Sequence, residues 1–175
     1  MPALDMGESL VGAYLRHIRR CDVVVYNSFF ADRQGEVDVV GLHQSDPRVV
    51  WLCEVTTHID GMQLTGDGLA ADEKKIRRKL DCLHDFAMTT FPGEEHRYEW
   101  WSPRVPVGKL TNAIDAIVGD WKAAGHEVTF VINGQYTDAM RELIQHAKRN
   151  PSTTNEPAYR LLQILSRLRG GRFEV

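Results

Sequence analysis

The sequence predicts an α/β fold in which a central mixed β-sheet is flanked by helices. Two runs rich in β-branched residues, 36–41 and 49–58, are separated by the turn-like residues 45–47, which predicts a β-hairpin. A helix with a single apolar stripe follows, and the second half of the chain alternates strand-like and helix-like segments. The element order is therefore α-β-β-β-α-β-α-β-α-α, which is typical of a sheet covered by helices.

The helices are predicted from apolar residues that recur at helical spacing. In the long helix after the hairpin, this stripe consists of Leu69, Ile76, Leu80, Leu83 and Ala87. In the first helix, the apolar face consists of Leu10, Ala13, Tyr14 and Ile18. Asp5 stands where an N-cap is expected. We expect helices over residues 5–20, 70–89, 110–124, 137–149 and 156–169.

The strands are predicted from short runs of β-branched and aromatic residues. We expect them over residues 21–30, 36–41, 49–58, 97–102 and 127–132. Pro103 and Pro106 end the fourth strand. Residues 59–68 contain Gly61, Gly66 and Gly68 and show little periodicity, so we expect a mobile loop there.

Length and composition predict a single soluble domain. The 175 residues suffice for one core over about residues 5–132, with a C-terminal helical part over about residues 135–170. No apolar run approaches the roughly 20 residues that cross a bilayer, so no membrane partner is expected. The first residues lack the features of a signal peptide, so we expect a cytoplasmic protein. With a net charge of −3, any nucleic acid must be bound by local basic patches.

Two acidic residues lie inside the predicted hairpin, at positions where a buried strand ordinarily carries Val or Ile. Side chains two apart share a face, so Glu54 projects with Leu52 and Thr56, and Asp38 projects with Val40. A hairpin can bring Asp38 close to Glu54, and a divalent cation stabilises two adjacent carboxylates in their ionised forms. We therefore expect Mg²⁺ or Mn²⁺ between them. Zinc is the weaker interpretation, because the cysteines and histidines lack the tight spacing of a zinc site.

This arrangement resembles the PD-(D/E)xK nuclease superfamily, whose restriction-endonuclease-like fold occurs in Holliday junction resolvases, repair nucleases and restriction enzymes. The resemblance is carried by the early helix with Glu8, the strand with Asp38, the strand with Glu54 and Thr56, and the long helix that follows. It implies that Asp38 and Glu54 hold the metal and that Glu8 assists it or a second ion. It also implies hydrolysis of phosphodiester bonds, in DNA or another nucleic acid, by a metal-activated water. We expect the loop 59–68 to close over the substrate.

The third motif departs from the family pattern, because Thr56 stands where the family usually has a lysine. In the family, that lysine orients the attacking water and offsets the negative charge of the transition state. Some members carry it on the following helix, and here Lys75 and Lys79 lie along one edge of that helix's apolar face. We expect one of these two lysines to supply the charge, and Thr56 to line the site.

The same residues also have structural interpretations. Asp38 is then a turn-capping residue, Glu54 the partner of an arginine, and Glu8 an acid that complements the dipole of the first helix. The alternative function is a catalytically inactive nucleic-acid-binding or protein-interaction module with the same fold, and the missing third-motif lysine motivates it. A twofold homodimer would address both strands of a duplex, but the sequence does not decide the oligomeric state.

Overall fold

The computed structural model describes residues 5–30, 35–45, 47–57, 62 and 68–168. Its elements follow the predicted order. The helices are α1 (Met6–His17), α2 (Leu69–Thr90), α3 (Lys109–Ala123), α4 (Gly134–Arg149) and α5 (Pro157–Leu165). The strands are β1 (Val23–Phe29), β2 (Glu36–His43), β3 (Val49–Val55), β4 (Glu95–Ser102) and β5 (Glu127–Ile132).

The five strands form one sheet in which their spatial order is their order along the chain. β2 pairs antiparallel with both β1 and β3, whereas β4 pairs parallel with both β3 and β5. Parallel neighbours need a crossover connection, and α2 and α3 provide the two crossovers. The predicted mixed sheet with flanking helices is confirmed, and so is the β2–β3 hairpin.

Helices cover both faces of the sheet, and each face has its own apolar core. On one face, α2 and α3 bury Leu80 and Ile114 against Leu52 and Trp100 of the sheet. On the other face, α1, α4 and α5 cover a core that contains Trp101. Trp100 and Trp101 are 3% and 0% exposed, so consecutive residues of β4 fill opposite cores, as strand alternation requires.

Several element boundaries differ from the predicted ones. α1 ends at His17 rather than at residue 20, because the backbone at Arg20 is left-handed, with a φ of 60°. β3 ends at Val55 rather than at residue 58, and the last helix ends at Leu165 rather than at residue 169. Residues 58 and 169 themselves lie outside the described part of the chain.

α4 begins at Gly134, three residues before the predicted start. Asn133 has a φ of 52°, which turns the chain directly from β5 into the helix. The Asn133 side chain accepts a hydrogen bond from the Val105 N–H at 2.7 Å and donates one to the Val105 carbonyl at 3.0 Å. These two bonds hold the direct connection from β5 to α4, where the sequence predicted a short loop.

The loop predicted after β3 falls only partly within the described residues. Most of the loop 59–68 lies outside the described residues, but Met62 is buried in the α2 core, and its N–H donates to the Arg104 carbonyl at 2.8 Å.

Among the helices in the described ranges, none combines the length and the apolar character that a membrane-spanning helix requires.

α1 lies close against β1, and contacts around one buried acid hold it there. Gly12 faces the ring of Tyr26, and a Cβ at residue 12 would overlap the Tyr26 hydroxyl. That hydroxyl donates a hydrogen bond to Glu156 at 2.6 Å, and Arg16 donates to the same carboxylate at 2.9 Å. Glu156 therefore connects α1, β1 and the N-terminal end of α5.

We expect Gly12→Ala to lower the free energy of unfolding by about 1–3 kcal/mol, because the added methyl group has no room beside Tyr26. Gly119→Ala is the matched control, since Gly119 also lies inside a helix but nothing stands within 4 Å of the position that its methyl group would take. That variant should gain up to about 1 kcal/mol from helix propensity. Urea unfolding of both variants measures the difference, and equal stabilities would contradict the close approach of α1 to β1.

Candidate functional site

The two acidic residues of the hairpin lie opposite each other on adjacent strands. The antiparallel pairs of β2 and β3 run from His43↔Val49 to Val39↔Cys53, so the next step of the register places Asp38 opposite Glu54. Cross-strand neighbours point to the same face of a sheet. On this face the helix α2 covers the strands, and Glu54 is only 6% exposed.

Each of the two carboxylates has a close partner among the described residues. The Val55 backbone N–H donates a hydrogen bond to Asp38 Oδ2 at 2.6 Å. Lys79, on α2, forms an ion pair with Glu54 in which Nζ and Oε1 are 2.7 Å apart. The site therefore joins β2 and β3 through Asp38, and joins β3 to α2 through Glu54.

The electrostatics of the pair follow from its burial. Burial, and then the charge of Asp38, raise the pKa of Glu54 to about 7, although Lys79 acts in the opposite direction. Burial also raises the pKa of Asp38, against the Val55 hydrogen bond and Lys79. For Lys79, burial opposes the charge, but Glu54 and then Asp38 outweigh it and raise the pKa of the ammonium. A single lysine thus compensates the two acids only in part.

Glu8 lies in the first turn of α1, on the opposite face of the sheet from α2. Burial, and then the charge of Asp38, raise the pKa of Glu8, whereas a hydrogen bond with the Asn27 side chain lowers it. The backbone of Asp5, the N-cap of α1, also lowers the pKa of Glu8. Glu8 therefore lies within electrostatic reach of Asp38.

Asn27 is the residue of this site that the sequence reasoning missed. It lies in β1 with a left-handed backbone, at a φ of 50°. The register sets it opposite Asp38, between the pairs Tyr26↔Val39 and Ser28↔Val37. The only sequence signal is an asparagine inside a run of strand formers, since Asn is one of the few residues other than Gly that adopt this conformation readily.

The remaining predicted site residues are not equally close to the acids. Of the two candidate lysines, α2 brings Lys79 to Glu54, and Lys75 stands exposed one turn earlier on the helix. Thr56 is half-buried directly after β3, and its N–H donates to the Trp101 carbonyl at 2.8 Å. Thr56 therefore prolongs the pairing of β3 with β4 beside Glu54.

The donor atoms fit a divalent cation held by few protein ligands. Among the described residues, Glu54 Oε2 and Glu8 Oε2 are buried side-chain oxygens without a hydrogen-bond partner. The described part of the chain holds no group of three or more acidic, histidine or cysteine side chains arranged as a metal cage. Mg²⁺ typically takes one or two protein carboxylates and completes its shell with water and phosphate oxygens, which is the donor set available at Asp38 and Glu54.

Comparison of the chain with protein-family models, with curated proteins and with solved structures finds no match.

In the presence of EDTA, we expect the contribution of Glu54 to the free energy of unfolding to fall as the pH rises from about 5 to about 8. The pKa of Glu54 is about 7 in the folded protein, against an ordinary value of 4.5. Between these values the folded state holds a proton that the unfolded state has lost, so deprotonation on the way to high pH removes stability, by about 3 kcal/mol in all.

Glu54→Gln is the control for this pH dependence, because it keeps the size of the side chain and removes its titration. When urea unfolding is repeated at each pH, the stability of the wild type relative to the variant should fall across this range. A slope equal to that of the wild type would mean that Glu54 does not titrate in this range.

Proposed function

We propose that this protein is a metal-dependent nuclease of the PD-(D/E)xK type, which hydrolyses phosphodiester bonds in DNA or another nucleic acid. The observation that carries the proposal is the pairing of two largely buried carboxylates, Asp38 and Glu54, on adjacent strands, with Lys79 as their cationic neighbour. Burying two adjacent acids costs folding free energy. Acids with pKa values raised by burial cluster at functional sites.

The order of elements supports the proposal. A helix with an acid in its first turn is followed by β1, by β2 with Asp38, by β3 with Glu54, and then by α2. This is the order that the resemblance implies for a restriction-endonuclease-like fold. The sheet adds that the two acid-bearing strands are immediate neighbours and that β1 lies beside β2.

Asp38 and Glu54 would hold a Mg²⁺ or Mn²⁺ ion, and Glu8 would assist it or a second ion. When bound, such an ion would lower the pKa of the attacking water and offset charge on the phosphate. A cation at this site would also offset the charge of Asp38, which, after burial, raises the pKa of Glu54. In the hydrolysis, the water oxygen bonds to phosphorus, the bond from phosphorus to the leaving oxygen breaks, and that oxygen takes up a proton.

Lys79 would replace the lysine that the third motif lacks. Its ammonium lies 2.7 Å from Glu54 Oε1, and the side chain is one-third exposed, so Lys79 is both anchored to the acid and accessible from solvent. A positive charge held at this distance stabilises the negative charge that develops on the phosphate oxygens in the transition state. Thr56, directly after β3, would line the site without supplying charge.

A basic face of α2 supports nucleic acid as the partner. Lys74, Lys75 and Arg78 are exposed on the helix that carries Lys79. Because the whole chain has a net charge of −3, attraction of a polyanion has to come from such a local patch. We expect DNA phosphates to follow this face of α2 toward the acids.

A second candidate function is a module that binds nucleic acid, or a protein, without cleaving anything. The observation in its favour is the Lys79–Glu54 ion pair, which compensates the buried acid without any metal. Thr56 also favours the inactive module, because it stands where the third motif usually has a lysine. The two candidate functions differ in whether the acids are required for a chemical step.

Metal-dependent cleavage tests the nuclease proposal. The protein is incubated with supercoiled, linear, branched and single-stranded DNA and with RNA, in Mg²⁺, in Mn²⁺ and in EDTA. We expect cleavage of at least one substrate in metal and none in EDTA, with Asp38→Asn and Glu54→Gln each at least about 100-fold slower.

Glu99→Gln is the matched control for these variants, since Glu99 is also a buried acid of the sheet but lies in the core on the face of α1, where it accepts a hydrogen bond from Trp101 at 2.9 Å. Its cleavage rate should stay within about threefold of wild type. Binding that survives both site substitutions, without cleavage under any condition, would establish the inactive module instead.

The two candidate lysines can be separated by the pair Lys79→Met and Lys75→Met. We expect Lys79→Met to lower kcat by about 100-fold or more, because the charge beside Glu54 is lost, and to leave KM less affected. Lys75→Met removes the same charge from an exposed position one turn away, so it should mainly raise KM. Full activity of Lys79→Met would show that Lys79 does not take the place of the lysine missing from the third motif.

A further inference from the structure

One phenylalanine of β1 belongs to neither of the two apolar cores. Phe29 is 61% exposed, and among the described residues it is the exposed aromatic side chain. Its neighbour Phe30 packs instead on the core beneath α2, where the centroids of the Phe30 and Phe86 rings are 5.3 Å apart. Phenylalanine is usually buried, because burial of its ring stabilises a fold. The core therefore uses one of two consecutive rings and leaves the other in solvent.

Phe29 lies at the end of the sheet that carries the acids. It pairs with Glu36, two residues before Asp38 on β2, so Phe29 and Asp38 are diagonal neighbours across the two strands. In a regular antiparallel pair, such neighbours are about 7–8 Å apart, which is within reach of an aromatic side chain. Glu54 stands near the end of β3, at the same end of the sheet. A nucleotide whose phosphate is bound at the acids can therefore bring a base to the exposed ring.

An exposed ring beside a phosphate site suits an unpaired base. Every base has a π-face, so stacking on an aromatic side chain tolerates any sequence. In a duplex, each base is already stacked and paired, and extracting it costs free energy. A single strand offers its bases without that cost. The neighbouring aromatic residues of β4, Trp100 and Trp101, are buried in the two cores, so neither is available to a base.

A kink in β1 argues against a second copy of the chain as the partner of this surface. β1 is an edge strand, and Val23 and Val25 are also exposed on it, so pairing of this edge with another copy is the competing interpretation. Asn27, with a φ of 50°, interrupts the extended backbone between Val25 and Phe29. Such an irregularity turns an edge away from regular pairing. Phe29 is thereby separated from the two valines and stays beside the acids.

We infer that Phe29 is a stacking platform for an unpaired base, and that the substrate of this site is single-stranded nucleic acid. The inference deepens the proposed function and rests on it. It makes Phe29 a specificity-determining residue, which selects a single strand and places its phosphate, whereas the hydrolysis itself depends on Asp38, Glu54 and Lys79.

Fluorescence anisotropy in EDTA tests the inference, because it measures binding under conditions in which a metal-dependent nuclease does not cleave. The probes are labelled oligo(dT), the same strand with abasic sites in place of its bases, and the duplex of oligo(dT) with oligo(dA). We expect Phe29→Ala to weaken oligo(dT) binding by about tenfold, and wild type to bind the abasic strand about tenfold more weakly than oligo(dT). Phe29→Trp, which keeps an aromatic ring, should bind oligo(dT) within about twofold of wild type. Binding of the duplex should be the same in all three proteins.

Two further variants separate stacking from a general apolar or structural effect. Leucine keeps an apolar side chain but has no π-face, so Phe29→Leu should lose as much affinity for oligo(dT) as Phe29→Ala. Val25→Ala is the matched control, since it shortens another exposed side chain of β1, and it should bind oligo(dT) within about twofold of wild type. Size-exclusion chromatography of wild type and Phe29→Ala measures self-association.

The outcomes are distinguishable. Wild-type affinity of Phe29→Ala for oligo(dT), an equal loss on the duplex, or a dimer that Phe29→Ala dissociates would each overturn the stacking role. The same holds if the wild type binds no oligo(dT). None of these results decides the nuclease proposal, which depends on metal-dependent cleavage and its loss in Asp38→Asn. Ring-dependent binding of oligo(dT) without cleavage of any substrate would refute the nuclease and retain Phe29 as part of a binding module.

Discussion

Two carboxylates facing each other beneath a helix are the constraint on which this structure depends. Asp38 and Glu54 project from adjacent strands, and Glu54 is almost fully buried. Such a pair is costly unless hydrogen bonds and opposite charges compensate it. The Val55 N–H and the Lys79 ammonium supply part of that compensation, and the raised pKa of both acids shows that it is incomplete.

The rest of the fold brings the partners of this pair into place. α2 packs its apolar stripe on the sheet, and this contact sets the position of Lys79 along the strands. α1 is held against β1 by the absence of a side chain at Gly12 and by the bonds around Glu156. The position of Glu8 therefore depends on contacts remote from the acids. For α2, apolar burial supplies the free energy that holds the charged groups together.

The sequence was sufficient to predict the elements and the acidic pair, because both depend on short-range periodicity. Alternation along a strand places Glu54 on one face, and a hairpin limits which residues of β2 can oppose it. The sequence could not decide whether Lys75 or Lys79 supplies the positive charge, since the two lie four residues apart on one edge of α2. Only the axial position of the helix on the sheet distinguishes them. The conformation of Asn27 is a property of one residue, so no periodic pattern reveals it.

Placing the cationic group on a helix rather than on the strand changes how the site is controlled. A lysine at position 56 would be held by the sheet, where the Thr56 N–H bonds to the Trp101 carbonyl. Lys79 instead follows any movement of α2 relative to β3. Under the proposed function, a cation entering the site competes with Lys79 for Glu54, and the released ammonium is then available to a phosphate. The ion pair that compensates the buried acid in the free protein would thus supply the charge that the bound substrate requires.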